Sequence, residues 1–201
     1  VTGRIYLLSG PSEVGMLTDL LARIGLVPAG RFASVEALVA AAPGLDDGVV
    51  LFTSHIARTY DPAVAAAARP LRSRFVSVMI VDPGDVAHAV TAVKGGAFDA
   101  LELPVTGARL QAMIDAAFAE LARRQADGVQ TAEARTRMAR LTPREREVLA
   151  ALMQGGTNKT IAQRLDLSPR TVEIHRANLM ERLGAQSLSD ALRIAWAAAE
   201  R

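Results

Sequence analysis

Residues 157–176 read TNKTIAQRLDLSPRTVEIHR, and this run leaves the chain little freedom. Its apolar positions Ile161, Ala162 and Leu165 recur at helical spacing, stop at Asp166-Leu167, and resume with Val172 behind Ser168-Pro169. Serine before proline is a start signal, because the serine oxygen can accept an orphaned backbone N–H and proline at the first helical position gives up a donor that has no partner there. A short helix, a tight turn and a second helix are therefore expected. Upstream, Thr142-Pro143-Arg144-Glu145 spells a capping box, which predicts a helix striped by Val148, Leu149 and Leu152 and ending at Gly155-Gly156. Thr157 or Asn158 caps the next one. Leu179 and Leu183 extend the line of Val172 as far as Gly184, and Ser187-Leu188-Ser189-Asp190 opens a fourth helix striped by Leu188, Leu192 and Ala195. Four short helices around one small core follow.

With Val172 facing that core, a step of ~100° per residue sends Arg170, Glu173, Ile174 and Ala177 outward and leaves His175 and Arg176 on the flanks. A helix-turn-helix presents such a face to the DNA major groove. Arg170 suits guanine O6/N7, Glu173 a cytosine amino group, and Ile174 and Ala177 thymine methyls, with Thr171 among them at the helix start; Arg176 is placed for a phosphate. Asn158, Lys159 and Thr160 begin the preceding helix, where free N–H groups and the dipole favour a phosphate, so they position rather than specify. His175 has no second ligand or nucleophile at useful spacing and reads as structural. The blocks LTPREREVL (141–149), Gly155, NKTIAQRL (158–165) and SPRTVEIHRANLMERL (168–183) resemble the LuxR/FixJ-type four-helix DNA-binding domain.

The first 125 residues alternate short apolar runs with helical segments. Strands are expected at 5–8, 26–27, 49–52, 76–81 and 100–103, and helices at 14–24, 35–42, 62–68, 86–94 and 108–124, with Ser34, Asp61, Asp85 and Thr106 as caps. Five β/α pairs imply a doubly wound, flavodoxin-like five-stranded parallel sheet, whose functional crevice lies at the C-terminal ends of its strands. GVVLFTS (48–54), the run from Val81 to Pro104, and the downstream domain make this half resemble a response-regulator receiver of the FixJ kind.

That resemblance implies an acidic pair for Mg²⁺ after the first strand, a phosphoacceptor aspartate ending the third, a Thr/Ser after the fourth, and a lysine before the proline. This chain has Ser9 and Gly10, Ser54, Val81 and Leu103 at those places, and Ala100 where an aromatic switch residue is expected. The chemistry is therefore expected to be gone, making this a pseudo-receiver with no catalytic residues, no metal and no cofactor. Phosphoryl transfer needs an ionised nucleophile, a metal and a cation to meet the charge that develops on the phosphoryl oxygens. A metal site built from Asp82 and Asp85 is the rival account; Asp85 as a helix cap is the simpler one. Gly10 and Gly15 supply half of a phosphate loop, but Met16-Leu17 replace its Lys-Ser/Thr. His55 and His88 read as isolated surface residues.

Asp127-Gly128-Val129-Gln130 is expected to interrupt the helical pattern, with residues 126–140 forming a helical linker before the 141–201 domain. Net charge is modest: residues 141–201 carry nine Lys/Arg against seven Asp/Glu, and the rest carry 14 of each. Affinity for DNA must then come from placement and dimerisation more than from bulk charge. The chain has no cysteine, which excludes disulfide, thiolate and zinc-finger chemistry. No apolar run approaches ~18 residues and no basic-then-apolar leader is seen, so a cytoplasmic protein is expected. These features together imply a non-enzymatic transcriptional regulator, a homodimer on an inverted-repeat DNA site, controlled by a partner protein at the receiver-like domain or active without one. Two rivals remain open: a sequestering protein with vestigial DNA binding, and a metal-dependent phosphotransfer switch using Asp82, Asp85 or Ser54.

Overall fold

The computed structural model describes residues 3–58 and 68–199, and the chain divides into two compact units, Val1–Gln125 and Ala126–Arg201. The first contains β1 (Arg4–Leu8), α1 (Val14–Ala22), β2 (Gly30–Phe32), α2 (Val35–Ala41), β3 (Gly48–Thr53), α3 (Ser54–Arg58), β4 (Phe75–Val81), α4 (Val86–Lys94) and β5 (Asp99–Glu102). All strands pair in parallel in the order β2-β1-β3-β4-β5, the expected doubly wound sheet. Because side chains alternate along a strand, the sheet feeds two cores. Ile5, Leu7, Val49, Leu51, Val78 and Ile80 pack against α1 and the long helix α5 (Gly107–Ala139); Tyr6, Leu8, Val50 and Phe75 pack with Leu38 and Ile56 on the other face.

Three expectations are corrected. The second strand is Gly30–Phe32 rather than 26–27: Leu26 plugs the first core from a loop, Val27 is 83% exposed, and the ladder begins only beyond Pro28, with Tyr6 opposite Gly30. Asp127–Gln130 does not break the helix, and α5 runs unbroken to Ala139. A solvated glycine costs a helix only ~1 kcal/mol against alanine, which the flanking helix-formers absorb. Asp85 occupies the N-cap of α4 without capping it; its carboxylate meets His88 Nδ1 at 2.5 Å, so His88 is not isolated. Ser34 and Thr106 do cap, accepting from the N–H groups of Ala37 and Arg109. The helix expected at 62–68, with Asp61 as its cap, lies outside the described residues except for Ala68.

The second unit contains α6 (Pro143–Met153), α7 (Asn158–Leu165), α8 (Pro169–Leu183) and α9 (Leu188–Ala199), the expected four helices. Val148, Leu149, Ile161, Val172, Leu179 and Leu183 form one core, joined by Ala134 and Met138 from the end of α5. Capping boxes open α6 at Thr142/Glu145 and α7 at Thr157/Thr160, and Ser168 caps α8. At the start of α9 the box is displaced by one residue: Ser187 Oγ accepts from the Asp190 N–H, but the Asp190 carboxylate accepts from Gln186. Gly155 and Gly184 take positive φ (78° and 63°) beyond α6 and α8, where a side chain would be strained.

Candidate nucleic-acid interface and strand-end pocket

The turn between α7 and α8 rests on Asp166, left-handed at φ 52°, followed by a Leu167 N–H donated to the Ala162 carbonyl at 2.8 Å. It leaves Arg170, Glu173, Ile174 and Ala177 exposed on α8, with Ile174 at 49%, while Val172 is buried and His175 and Arg176 are half-buried. Two of these residues pair in the unbound chain: Arg170 donates to Glu173 Oε2 at 3.0 Å. Such an exposed pair is worth at most ~1 kcal/mol, so either partner can exchange it for a base edge. The Thr171 N–H donates to Ser168 Oγ at 3.0 Å and the two hydroxyls meet at 2.8 Å, which occupies Thr171 in starting the helix.

Lys159 and Thr160 are exposed and Asn158 half-buried at the front of α7. Thr160 Oγ1 accepts from the Thr157 N–H at 2.9 Å as part of the cap. Arg176 donates to Asn158 Oδ1, tying the middle of α8 to the first turn of α7. Residue spacing alone did not foresee this bond. Behind this face, Glu145 is buried at 2% exposure; it accepts from the Thr142 N–H at 2.8 Å and meets Arg182 at 3.2 Å, so its charge is satisfied.

At the C-terminal ends of the strands in the first unit lie Ser9, Gly10, Ser54, Val81 and Leu103. Ser9 is buried, and its Oγ has no hydrogen-bond partner among the described residues. A side chain at Gly10 would come within 3.1 Å of the His55 ring. Val81 is buried as the last residue of β4, and Leu103 packs into the first core ahead of a cis bond to Pro104. The Asp82 N–H donates to Ser54 Oγ (3.4 Å), and the Asp85 carboxylate meets His88 Nδ1 at 2.5 Å. No cluster of three or more His, Asp or Glu side chains suited to a metal occurs among the described residues.

A bacterial regulatory protein model, the luxR family, matches residues 139–195. Over 172 residues the chain is 38% identical to the transcriptional regulatory protein FixJ of Bradyrhizobium diazoefficiens, covering 83% of this chain and 82% of that one. The chain belongs to the LuxR/FixJ family of response regulators. FixJ of Rhizobium meliloti is 37% identical, with 82% and 80% covered. Among solved structures, full-length FixJ from B. japonicum superimposes with a TM-score of 0.52 at 33% identity, covering 98% of each chain. The response regulator StyR shares the fold, with a TM-score of 0.65 at 22% identity over 96% of this chain and 98% of that one.

β3 ends at Thr53, and Ser54, expected at the end of the third strand, instead begins α3. Thr53 continues the face of Val49 and Leu51, and its Oγ1 donates to Glu13 Oε2 at 2.5 Å. Ser54 lies one residue on. Thr53 lies in the strand-end run expected from the sequence, but its bond to Glu13 was not foreseen. Neither Thr53 nor Ser54 supplies a carboxylate, and among the described residues no helix is long and apolar enough to cross a membrane.

Proposed function

We propose that this chain is a sequence-specific DNA-binding transcriptional regulator whose receiver-like unit acts without aspartyl phosphorylation. The observation that carries the second half of this reading is the strand-end set itself: Ser9, Gly10, Thr53, Ser54, Val81 and Leu103 offer no nucleophilic carboxylate and no lysine. Mg²⁺ prefers carboxylate oxygens, and these residues do not fit it. The Glu13 carboxylate beside them already accepts the Thr53 hydroxyl, and a side chain at Gly10 would press on the His55 ring. The unit is then a pseudo-receiver with one resident conformation, its control coming from a partner protein or from constitutive activity.

DNA reading rests on the outward face of α8. Arg170, Glu173, Ile174 and Ala177 read base edges, Thr171 and Thr160 hold their helix starts beside the backbone, and Lys159, with Arg176 held on Asn158, meets phosphates. One such face buries too little surface for tight specific binding, so the active form is a homodimer on an inverted repeat with half-sites about one helical turn apart. The test is a binding series on a site selected from random DNA. Arg170→Ala should cost about 1–3 kcal/mol and relax one base position, and Lys159→Ala should weaken all sequences alike and flatten the salt dependence. Wild-type binding by both variants refutes the groove assignment; sedimentation as a monomer on the selected site refutes the dimer.

A further inference from the structure

Arg176 differs from the arginines around it in what holds it. Standing four residues after Val172 and three before Leu179, both buried, it shares the core-facing side of α8 and is itself half-buried. Its apolar stem can lie along that side, but a guanidinium that always carries its charge has to reach a polar edge. It does so at the front of α7, where it donates to Asn158 Oδ1 across 18 residues of chain. Among the described residues Arg176 makes no other hydrogen bond or ion pair. Arginine has no acceptor, so the amide atom that meets it must be the oxygen.

The acceptor is neutral, and that decides what the bond can do. Arg144, Arg170, Arg182 and Arg193 of the same unit pair with carboxylates, which offset the charge they hold. An amide oxygen fixes a guanidinium and leaves its charge in place. Asn158 is itself fixed, because the capping box between Thr157 and Thr160 sets the first turn of α7 on either side of it. A free arginine gives up several rotors when it meets a phosphate; one already tethered has lost them before DNA arrives. We propose that Asn158 is a positioning residue that acts on DNA through Arg176: it touches no phosphate itself and presents the uncancelled guanidinium to one. The inference rests on the reading of α7 and α8 as the DNA-facing pair. It assigns to an uncharged side chain a share of the salt dependence of binding.

The experiment measures the affinity of the full chain for the selected DNA site from low to high salt. Each phosphate met by a cation releases counterions, so Arg176→Ala should lower the slope of log affinity against log salt by about one unit. Asn158→Ala removes no charge, yet should lower the slope by a similar amount, and the double variant should match Arg176→Ala alone. Circular dichroism establishes which variants are folded, and Asn158→Ser takes the place of the alanine variant if that one is not. Affinity lost by the folded Asn158 variant at an unchanged slope means that the amide meets DNA by itself and overturns the proposal. Additive effects of the two single variants, or an Arg176→Ala slope equal to that of the wild type, overturn it too. A wild type that selects no site and whose binding ignores salt overturns the DNA reading itself.

Discussion

The two units divide fold and chemistry differently. In the helical unit both jobs share the same helix: Val172, Leu179 and Leu183 of α8 enter the core while Arg170, Glu173, Ile174 and Ala177 stand between them in solvent. In the receiver-like unit the jobs lie at different levels of the sheet. Leu7, Val49, Leu51 and Val78 are fully or almost fully buried mid-strand, and the residues at the places expected to carry phosphoryl chemistry sit at or just past the strand ends. A parallel sheet covered on both faces is held by its middle layers. Substitutions at its rim are then expected to cost the fold less than substitutions in its middle layers.

If the units are energetically separate, large-to-small core changes should each move one transition. Trp196, the only tryptophan, lies in α9 and reports on the helical unit. Leu179→Ala should destabilise the fluorescence transition in urea by about 2–5 kcal/mol, whereas Leu7→Ala should leave it within about 0.5 kcal/mol while lowering the sheet unit comparably. A shared shift would erase the division.

A smaller change sharpens the contrast within the helical unit. Glu145→Ala removes half of a capping box and the partner of Arg182, and should cost about 1–3 kcal/mol by the same fluorescence readout. Arg182 is half-exposed and can find water, which keeps the loss below that of a stranded buried charge.

Acid titration probes the sheet unit. Hydrogen bonds from Arg123 and Arg124 pull the Glu120 carboxyl from 4.5 down to about 2. Folding lowers this pKa, so the carboxylate's contribution is present above pH 4.5 and is lost as pH falls toward 2. Glu120→Gln should therefore be less stable than the wild type near neutrality and lose less between pH 4.5 and 2, as read by circular dichroism. At the bottom of the scale, Ser9→Ala deletes a buried hydroxyl that has no partner among the described residues. It should be neutral to slightly stabilising, within about 0.5 kcal/mol.

How much could be read from the sequence follows the same division. Caps and 3.6-residue periodicity are local signals, and Thr142, Ser168 and Gly184 marked the helices of the second unit closely. Buried parallel strands carry no alternation, so nothing in GVVLFTS tells Thr53 from Ser54 as the last strand residue. The Thr53–Glu13 bond joins residues 40 apart in the chain, which local spacing does not encode. The second strand was misplaced because a loop leucine, Leu26, is more apolar than the edge strand Gly30–Phe32. The outward valines of α4 depend on how a whole helix is rotated, which no single residue encodes.

The central claim is that the receiver-like unit keeps its fold without its phosphorylation switch. It is tested most directly by titrating the selected DNA site with untreated chain and with chain treated with beryllofluoride or acetyl phosphate in the presence of Mg²⁺. Coincident binding curves are the result expected here, and Thr53→Asp or Ser54→Asp alone should not separate them, because the metal and lysine partners remain missing. A shift of about tenfold or more in affinity, equivalent to ~1.4 kcal/mol of coupling, would contradict the account.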